Sequence, residues 1–317
     1  MSTADLSVGV DIGGTKIAAG LIDRQGHIVE RVQTPTPSEP NEVIAAIAWL
    51  VETLRRNQEV SALGVAAPGF VSKDRAVVHH APNIAWRDEP LRARLEDLLS
   101  LDVTLDNDAN AAGWAEYRFG AAQGSAVMVM LTLGTGVGGA IVLDGALFRG
   151  ANGMAAELGH ITSTLGGREC GCGQRGCLEQ YASGRALQRA IAEVPEGALR
   201  DERDSGRAVP PSVFEALLSR EDPGALAVLD SVASALGQAC ADFQAVLDPD
   251  CFVIGGGLAS LGSHLLHPVE STYHASLPGG RERPRARFTQ ALMGNDAGIV
   301  GAADLARAET TARASAR

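Results

Sequence analysis

One short segment of the chain gathers residue types that bind metal ions. His160, Cys170, Cys172 and Cys177 lie close together in the sequence. Three thiolates and one imidazole form the ligand set of a closed, tetrahedral structural zinc site. The glycines between these residues allow a short chain to fold back around an ion without steric conflict. We therefore predict a zinc site here, with about one ion per chain and with loss of folding or of activity on chelation.

A disulfide is the competing interpretation of these cysteines, and free thiols are another. A Cys-x-Cys pair is too short to bridge comfortably. The first residues also contain no leader that would direct the chain to an oxidising compartment. Cys240 and Cys251 lie in apolar sequence and are expected to be inert core residues. Zinc is the favoured interpretation.

Carboxylates flank the proposed metal segment. Glu157 precedes His160, and Glu179 follows the last cysteine of the segment. A metal site would fix all three polar side chains to one rigid structure. The arrangement favours a role in supporting a binding site for a polar ligand.

Two similar glycine-rich turns are separated by more than a third of the chain. Residues 8–23 read VGVDIGGTKIAAGLID, and residues 129–144 read VMLTLGTGVGGAIVLD. Each pattern predicts two strands joined by a turn, whose backbone N–H groups suit phosphate oxygens. A single turn of this kind is usually a plain hairpin. Two matching copies indicate a duplicated architecture whose halves face one nucleotide across a cleft. Neither turn fits the P-loop or Rossmann pattern, because a strand follows each of them.

A third glycine cluster, Gly255 to Gly257, follows the apolar run CFVI (251–254). The pattern predicts a buried strand and then a turn into a helix over 258–267. Such a turn can admit the adenine or ribose of a nucleotide close to the backbone. A tight connection without a ligand is an equally good interpretation.

Asp108 is the carboxylate best placed for chemistry. Leu101, Val103 and Leu105 alternate with polar residues and predict a strand, and a helix is predicted to begin near Ala109. Proteins of the α/β class bind ligands at such carboxyl ends of strands. Asp108 could accept a proton from a substrate hydroxyl while the glycine turns hold a phosphoryl donor. Capping of the helix is the competing role for this side chain.

A further strand is predicted over 63–71 (LGVAAPGFV), followed by the segment HHAPNIAW (79–86). Gly69 would allow a ligand close to the backbone, and Asn83 could form a hydrogen bond with a hydroxyl group. Both are also ordinary loop residues, and the sequence favours neither role.

The composition limits the protein class. The chain has 317 residues, a net charge of −11, 45% hydrophobic residues and 4% aromatic residues. These values fit a globular α/β protein of two domains and argue against a general basic surface for nucleic acid. The chain contains no long uninterrupted apolar run, and we expect a cytoplasmic protein. The predicted domains are a small one over 1–111, to which a C-terminal helix (299–317) returns, and a large one over 112–298. Residues 194–212 are predicted to form a surface excursion.

Together these motifs resemble the ROK family of sugar kinases and repressors. The resemblance rests on DIGGTK (11–16), NDAN (107–110), LGTGVGG (133–139), AELGH (156–160), CGCGQRGCLE (170–179) and GGG (255–257). It covers nearly the whole chain, in order. Within the family, the stretches APNIAW, YRFGA and LEQYASGRAL make the chain look most like the glucokinases of actinobacteria.

The resemblance implies a two-domain fold of the actin and hexokinase type, with a ligand cleft between the domains. It also implies ATP-dependent phosphorylation of glucose to glucose 6-phosphate, with Asp108 as the general base for the sugar 6-hydroxyl. Residues implied to bind the sugar are Gly69, Asn83, Asn107, Asp108, Glu157, His160 and Glu179. Residues implied to bind the nucleotide are Gly13, Gly14, Thr15, Lys16, Gly134, Thr135 and Gly136 for the phosphates, and Gly255, Gly256 and Gly257 for the adenosine. His160 would contact the sugar with one ring nitrogen and zinc with the other. Mg²⁺ is implied with ATP, as is a homodimer or homotetramer.

Alternatives remain within this resemblance. A sugar-responsive repressor would need a DNA-binding helix-turn-helix before the first glycine turn, which begins already at Asp11. The sugar could instead be mannose, fructose or an N-acetylated hexose, and polyphosphate could replace ATP. Phe70 stands where some family members with other sugars carry a polar residue, which argues against assuming an amino sugar.

Overall fold

The computed structural model describes residues 6–81, 84–194, 198–204 and 209–315. The chain forms two compact units. Unit 1 comprises Met1–Gly124, Ala140–Ala156 and Leu292–Arg317, and unit 2 comprises Ser125–Gly139 and Glu157–Ala291. The predicted boundary lies after residue 111, whereas residues 112–124 and 140–156 belong to unit 1 in the structure. The helix that contains residue 111 continues to Phe119, and Arg149 in the second segment binds Asp106 of unit 1.

The largest segment of unit 1 is Met1–Gly124. Its elements are β1 (Leu6–Ile12), β2 (Lys16–Ile22), β3 (Ile28–Pro35), α1 (Pro40–Arg55), β4 (Val60–Ala67), β5 (Phe70–Val71), β6 (Val78–Ala81), β7 (Ile84–Glu89), α2 (Leu91–Leu99), β8 (Val103–Asn107) and α3 (Asp108–Phe119). One sheet has the strand order β3-β2-β1-β4-β8, and β5-β6-β7 form a small antiparallel sheet. β1 pairs antiparallel with β2 and parallel with β4, which in turn is parallel to β8. The carboxyl ends of β1, β4 and β8 therefore lie at one edge of the sheet.

The remaining elements follow residue 124. They are β9 (Val127–Leu133), β10 (Val137–Leu143), β11 (Ala146–Leu147), α4 (Glu179–Ala182), α5 (Gly184–Ala192), α6 (Ala198–Asp204), α7 (Pro211–Ser219), α8 (Pro223–Leu247), β12 (Cys251–Gly255), α9 (Ser263–Ser276), β13 (Arg287–Gln290) and α10 (Ala297–Ser315). The second sheet has the order β11-β10-β9-β12-β13, with β12 parallel to both β9 and β13. This is the topology of the first sheet repeated, as the paired glycine turns predicted.

The C-terminal helix α10 packs directly on the first sheet. A methyl group on Gly9 of β1 would lie 1.8 Å from the carbonyl oxygen of Ile299, and one on Gly64 of β4 would lie 1.9 Å from that of Ala302. Only glycine permits such close contact between a helix backbone and a strand backbone. The C-terminal helix predicted over 299–317 corresponds to α10, which belongs to unit 1.

Apolar patterning explains the other helices. α1 buries Val43, Ile44 and Ile47 on one face against the core of unit 1, as expected for an amphipathic helix. α8 is, among the described helices, the one long and apolar enough by composition to cross a membrane, but 56% of that window is buried inside the protein. Packing within the protein explains its apolar character.

One local prediction differs from the structure. The helix predicted over 258–267 is instead a 3-10 turn (Gly257–Leu261) followed by α9. Gly262 separates the two, because its φ of +53° is incompatible with a continuous helix. The excursion predicted over 194–212 contains the helix α6 in the part that the structure describes.

Candidate functional site

The candidate residues occur in both units, and Asn107 and Asp108 of unit 1 lie at the edge where β1, β4 and β8 end. Asn107 is the last residue of β8, and Asp108 is the first of α3. The side chain of Asn107 caps the helix, since its Oδ1 accepts hydrogen bonds from the backbone N–H groups of Ala109 (2.9 Å) and Asn110 (3.1 Å). The capping role considered for Asp108 is therefore held by its neighbour. Asp108 Oδ1 accepts one further bond from Ala109 N at 2.9 Å.

The amide nitrogen of Asn107 fixes the next strand connection. Asn107 Nδ2 donates to the carbonyl oxygen of Gly69 at 3.0 Å. Gly69 has a φ of +88°, and a methyl group there would lie 2.0 Å from the His80 carbonyl oxygen. The protein itself thus requires glycine at this position, and a ligand contact by Gly69 stays a prediction. Asn83 lies outside the described residues.

Asp106 also stabilises the segment that contains Asn107 and Asp108. It is 3% exposed and binds Arg149 through Nε at 2.9 Å and Nη2 at 2.5 Å. Its other oxygen accepts from Asn110 Nδ2 at 3.1 Å and from Asn107 N at 3.0 Å. This buried carboxylate is fully hydrogen-bonded, and the Arg149 guanidinium group is its direct ion-pair partner. It fixes the backbone that presents Asp108.

Asp11, at the end of β1, is a candidate that the sequence analysis did not single out. It pairs in register with Ala66, which pairs with Asp106 on the far strand. Burial and the charge of Asp108 raise the pKa of Asp11 from 3.8 to about 6, against the opposing effects of Lys16 and Arg31. The rule that pointed to Asp108, a carboxylate at the carboxyl end of a parallel strand, would also have found Asp11.

The pKa of Asp108 is also raised. Burial is the main cause, and the hydrogen bond from Ala109 N opposes it. A carboxylate whose pKa lies above its usual range is a better proton acceptor near neutral pH. Perturbed pKa values of this kind are typical of functional sites.

The first glycine turn joins β1 to β2. Gly13 N donates to Lys16 O at 3.0 Å. Thr36 donates to two carbonyl oxygens of the turn, from its backbone N to Thr15 O at 3.1 Å and from its Oγ1 to Gly13 O at 2.7 Å. Gly14, Thr15 and Lys16 are exposed. The turn is therefore rigid in its backbone and open to solvent at its tip, as a phosphate-binding loop requires.

In unit 2 the structure brings together the four residues of the predicted metal site. One ligand atom from each of His160, Cys170, Cys172 and Cys177 lies within 4.8 Å of the others. The His160 Nδ1 to Cys170 Sγ distance is 3.6 Å, as is that between the Sγ atoms of Cys172 and Cys177. Zinc bonds of about 2.0–2.3 Å in a tetrahedron place ligand atoms about 3.6–3.8 Å apart. The cluster fits a zinc ion, whereas no disulfide joins any of the five cysteines.

The polar residues that flank the cluster are held close to it. His160 ends a 3-10 turn (Leu158–His160), and its backbone N–H donates to Glu157 O at 3.0 Å. Because Nδ1 faces the cysteines, Nε2 is the ring nitrogen left for another partner. Glu179 begins α4, and its Oε1 lies 3.8 Å from Cys170 Sγ. Cys240 and Cys251, by contrast, are buried in the core as expected.

The second and third glycine groups are neighbours within unit 2. In the second turn, Gly134 N donates to Gly136 O at 3.0 Å, and Thr135 is exposed. Gly256 has a φ of +79°, and a methyl group on it would lie 2.6 Å from the backbone of Leu133, at the end of β9. The turn after β12 is thus packed against the strand that leads into the second glycine turn.

Comparisons with known proteins agree with this fold. A model of the ROK family matches residues 7–309. The chain belongs to the ROK family. It is 44% identical to a glucokinase from Streptomyces coelicolor, over 95% of this chain and 98% of that protein. It is also 33% identical to an N-acetylmannosamine kinase from Salmonella newport, over 96% of this chain and 99% of that protein.

A solved structure extends the comparison. It is the ROK-family glucokinase from Streptomyces griseus in complex with glucose and AMPPNP, which has a TM-score of 0.85 and 41% identity over 96% of this chain and 99% of that chain. The resemblance to the ROK family, its fold and its kinase relatives is confirmed. The roles of individual residues of this chain stay predictions.

Proposed function

We propose that this ROK-family protein is an ATP-dependent glucokinase that converts glucose to glucose 6-phosphate. The observation that carries the proposal is the division of roles between adjacent residues: Asn107 caps α3, and Asp108 presents a carboxylate with a raised pKa at the edge of the sheet. The similarity to the two Streptomyces glucokinases supports glucose and ATP as substrates.

In the proposed reaction, Asp108 accepts the proton of the sugar 6-hydroxyl as its oxygen attacks the γ-phosphorus of ATP. Phosphoryl transfer needs mainly positioning and charge stabilisation, together with one group that orients the nucleophile. The exposed tips of the two glycine turns supply backbone N–H groups for the phosphates of the Mg²⁺–ATP substrate. Glu157, His160 Nε2 and Glu179 are proposed to bind sugar hydroxyl groups.

Zinc is the proposed occupant of the Cys/His cluster. Its ligands would be His160 Nδ1 and the three cysteine sulfur atoms, which form a closed set with no position for substrate. The ion would supply structural support, and its bond to Nδ1 would fix His160 in the tautomer that carries its proton on Nε2. His160 could then donate a hydrogen bond from Nε2 to a sugar oxygen.

The experiment that tests this function is a coupled assay across a panel of hexoses, with ATP and polyphosphate as donors. Asp108→Asn should lower kcat by about 10²- to 10⁴-fold, because general-base catalysis is typically worth that much. Glucose binding, measured by calorimetry, should largely survive. Asp102→Asn, which alters an exposed carboxylate near the start of the same strand, is the matched control. Full turnover by the Asp108 variant, or no phosphorylation of any hexose, would refute the proposal.

An N-acetylated hexose is the second candidate substrate, since the Salmonella relative is an N-acetylmannosamine kinase of nearly equal length. A higher kcat/KM for that sugar than for glucose would decide in its favour. Mannose, fructose and polyphosphate are further outcomes of the same panel. A sugar-responsive regulator without kinase activity would bind glucose and show no turnover. We further propose a cytoplasmic homodimer or homotetramer.

A further inference from the structure

The second glycine turn of the chain, residues 134–136 in unit 2, packs against the segment that carries the Cys/His cluster. Gly184 N, at the start of α5, donates to Gly134 O at 2.8 Å. A methyl group on Gly159 would lie 2.1 Å from the Val137 carbonyl oxygen, so the 3-10 turn of His160 is pressed against the residue that follows the glycine turn. Two separate parts of the cluster segment thus contact this turn through the backbone.

Glu179 adds a side-chain contact to these. Its Oε2 accepts a hydrogen bond from Val137 N at 3.1 Å, and its Oε1 lies 3.8 Å from Cys170 Sγ. One carboxylate therefore spans from a cluster cysteine to the first backbone N–H after the glycine turn. Hydrogen bonds that involve a charged acceptor are stronger than neutral ones.

The turn is shaped to receive this carboxylate. A methyl group on Gly136 would lie 2.1 Å from Glu179 Oε2. Gly136 does not have a positive φ, so glycine is needed there for space. Gly134, two residues earlier, has no heavy atom near the corresponding position. The two glycines of one turn thus differ in what a methyl group would meet.

We propose that Glu179 is a positioning residue for the nucleotide: its carboxylate holds the second glycine turn, residues 134–136, in the conformation that binds phosphate. This inference deepens the proposed function, which assigns Glu179 to the sugar alone, and it rests on that function. A carboxylate beside a phosphate site repels the ligand directly, so a favourable effect of Glu179 on nucleotide binding must come through the turn itself. The hydrogen bond from Val137 N is the contact that carries this effect.

The first test measures the affinity for AMPPNP with Mg²⁺ by calorimetry, on the full-length protein without any sugar. Glu179→Ala, which leaves Val137 N without its acceptor, should weaken nucleotide binding about tenfold or more. Glu179→Gln keeps an acceptor oxygen and should restore most of the affinity. Zinc content, measured by mass spectrometry, should equal that of the wild type in both variants. Glu169→Ala is the matched control, since that carboxylate lies in the same segment but is exposed and paired with Arg175.

The second test alters the glycine turn and measures glucose affinity without nucleotide. Gly136→Ala should displace the Glu179 carboxylate and weaken glucose binding severalfold, although Gly136 belongs to the nucleotide side. Gly134→Ala adds the same methyl group to the same turn without meeting Glu179. It should leave glucose affinity unchanged.

The outcomes separate this inference from the proposed function. Unchanged or tighter nucleotide binding by Glu179→Ala would overturn the inference, because repulsion of phosphate would then be the main effect of the carboxylate. Equal nucleotide affinities for the Ala and Gln variants, both weakened, would also overturn it. If Glu179→Ala lost glucose affinity alone, the sugar role would stand without the positioning role. If no variant or wild-type protein bound glucose, the proposed function itself would fail.

Discussion

Asp11→Asn is expected to stabilise unit 1 at neutral pH. Burial and the charge of Asp108 raise the pKa of Asp11 from 3.8 to about 6. The ionised form is therefore disfavoured in the folded state, and stability falls as pH rises from 3.8 to about 6 and is constant above that. One pKa unit corresponds to about 1.4 kcal/mol, so the cost at pH 7.5 approaches about 3 kcal/mol. The neutral amide removes this cost.

Tryptophan fluorescence is the measurement of choice for this prediction. All three tryptophans of the chain, Trp49, Trp86 and Trp114, lie in unit 1. A thermal melt followed by their emission therefore reports on the unit that contains Asp11. A gain of about 3 kcal/mol should raise the midpoint by roughly 5–10 °C at pH 7.5. At pH 3.5 Asp11 is mostly protonated in both states, so the difference between the two midpoints should nearly disappear.

Asp23→Asn serves as a control of opposite sign. Burial of Asp23 acts to raise its pKa, but hydrogen bonds from His27 and Gln25 outweigh that effect and lower the pKa. Its carboxylate therefore stabilises the fold above its unfolded pKa, and this contribution is lost as pH falls. Asp23→Asn should lower the midpoint at pH 7.5. If Asp11→Asn also lowered the midpoint there, or raised it equally at both pH values, the electrostatic reasoning would be refuted.

Three further predictions concern the metal cluster, the ion pair that supports the Asp108 segment and the packing of α10 on the first sheet. Cys172→Ser should lower zinc content, measured by mass spectrometry, and weaken glucose binding through misplacement of His160; full zinc content would contradict the assignment of that ligand. Arg149→Met removes the direct ion-pair partner of the buried Asp106 carboxylate and should destabilise unit 1 by about 3–5 kcal/mol, seen in the tryptophan melt with zinc content unchanged. Gly64→Ala should cost about 1–3 kcal/mol in the same melt, because its methyl group would overlap the backbone of α10; a wild-type midpoint would contradict that packing.

Local motifs carried much of the prediction. The ligand set of the cluster, the two strand-turn-strand units and the strand before Asp108 could be derived from residue types and short spacings, because each depends on neighbours close in the chain. Apolar runs such as those of β1 and β12 located the sheet strands for the same reason. The repeated glycine turns also indicated the duplicated sheet topology.

Domain boundaries were less accessible. Residues 140–156 lie far from the rest of unit 1 in sequence, and no composition change marks their edges. They join it through long-range contacts, such as the pair between Arg149 and Asp106. Position in the sequence does not determine which distant segments pack together.

The sequence by itself determined which residues could do chemistry: a Cys/His ligand set, exposed glycine turns and a carboxylate at the end of a strand. The tertiary structure decided which of two adjacent residues caps α3 and which carboxylates share one sheet edge. It also brought the Glu179 carboxylate into a hydrogen bond with Val137 N, which directly follows the second glycine turn and lies 42 residues earlier in the chain. These outcomes depend on distances between parts of the chain that only packing brings together. Residue types limit the possible partners, and the fold selects among them.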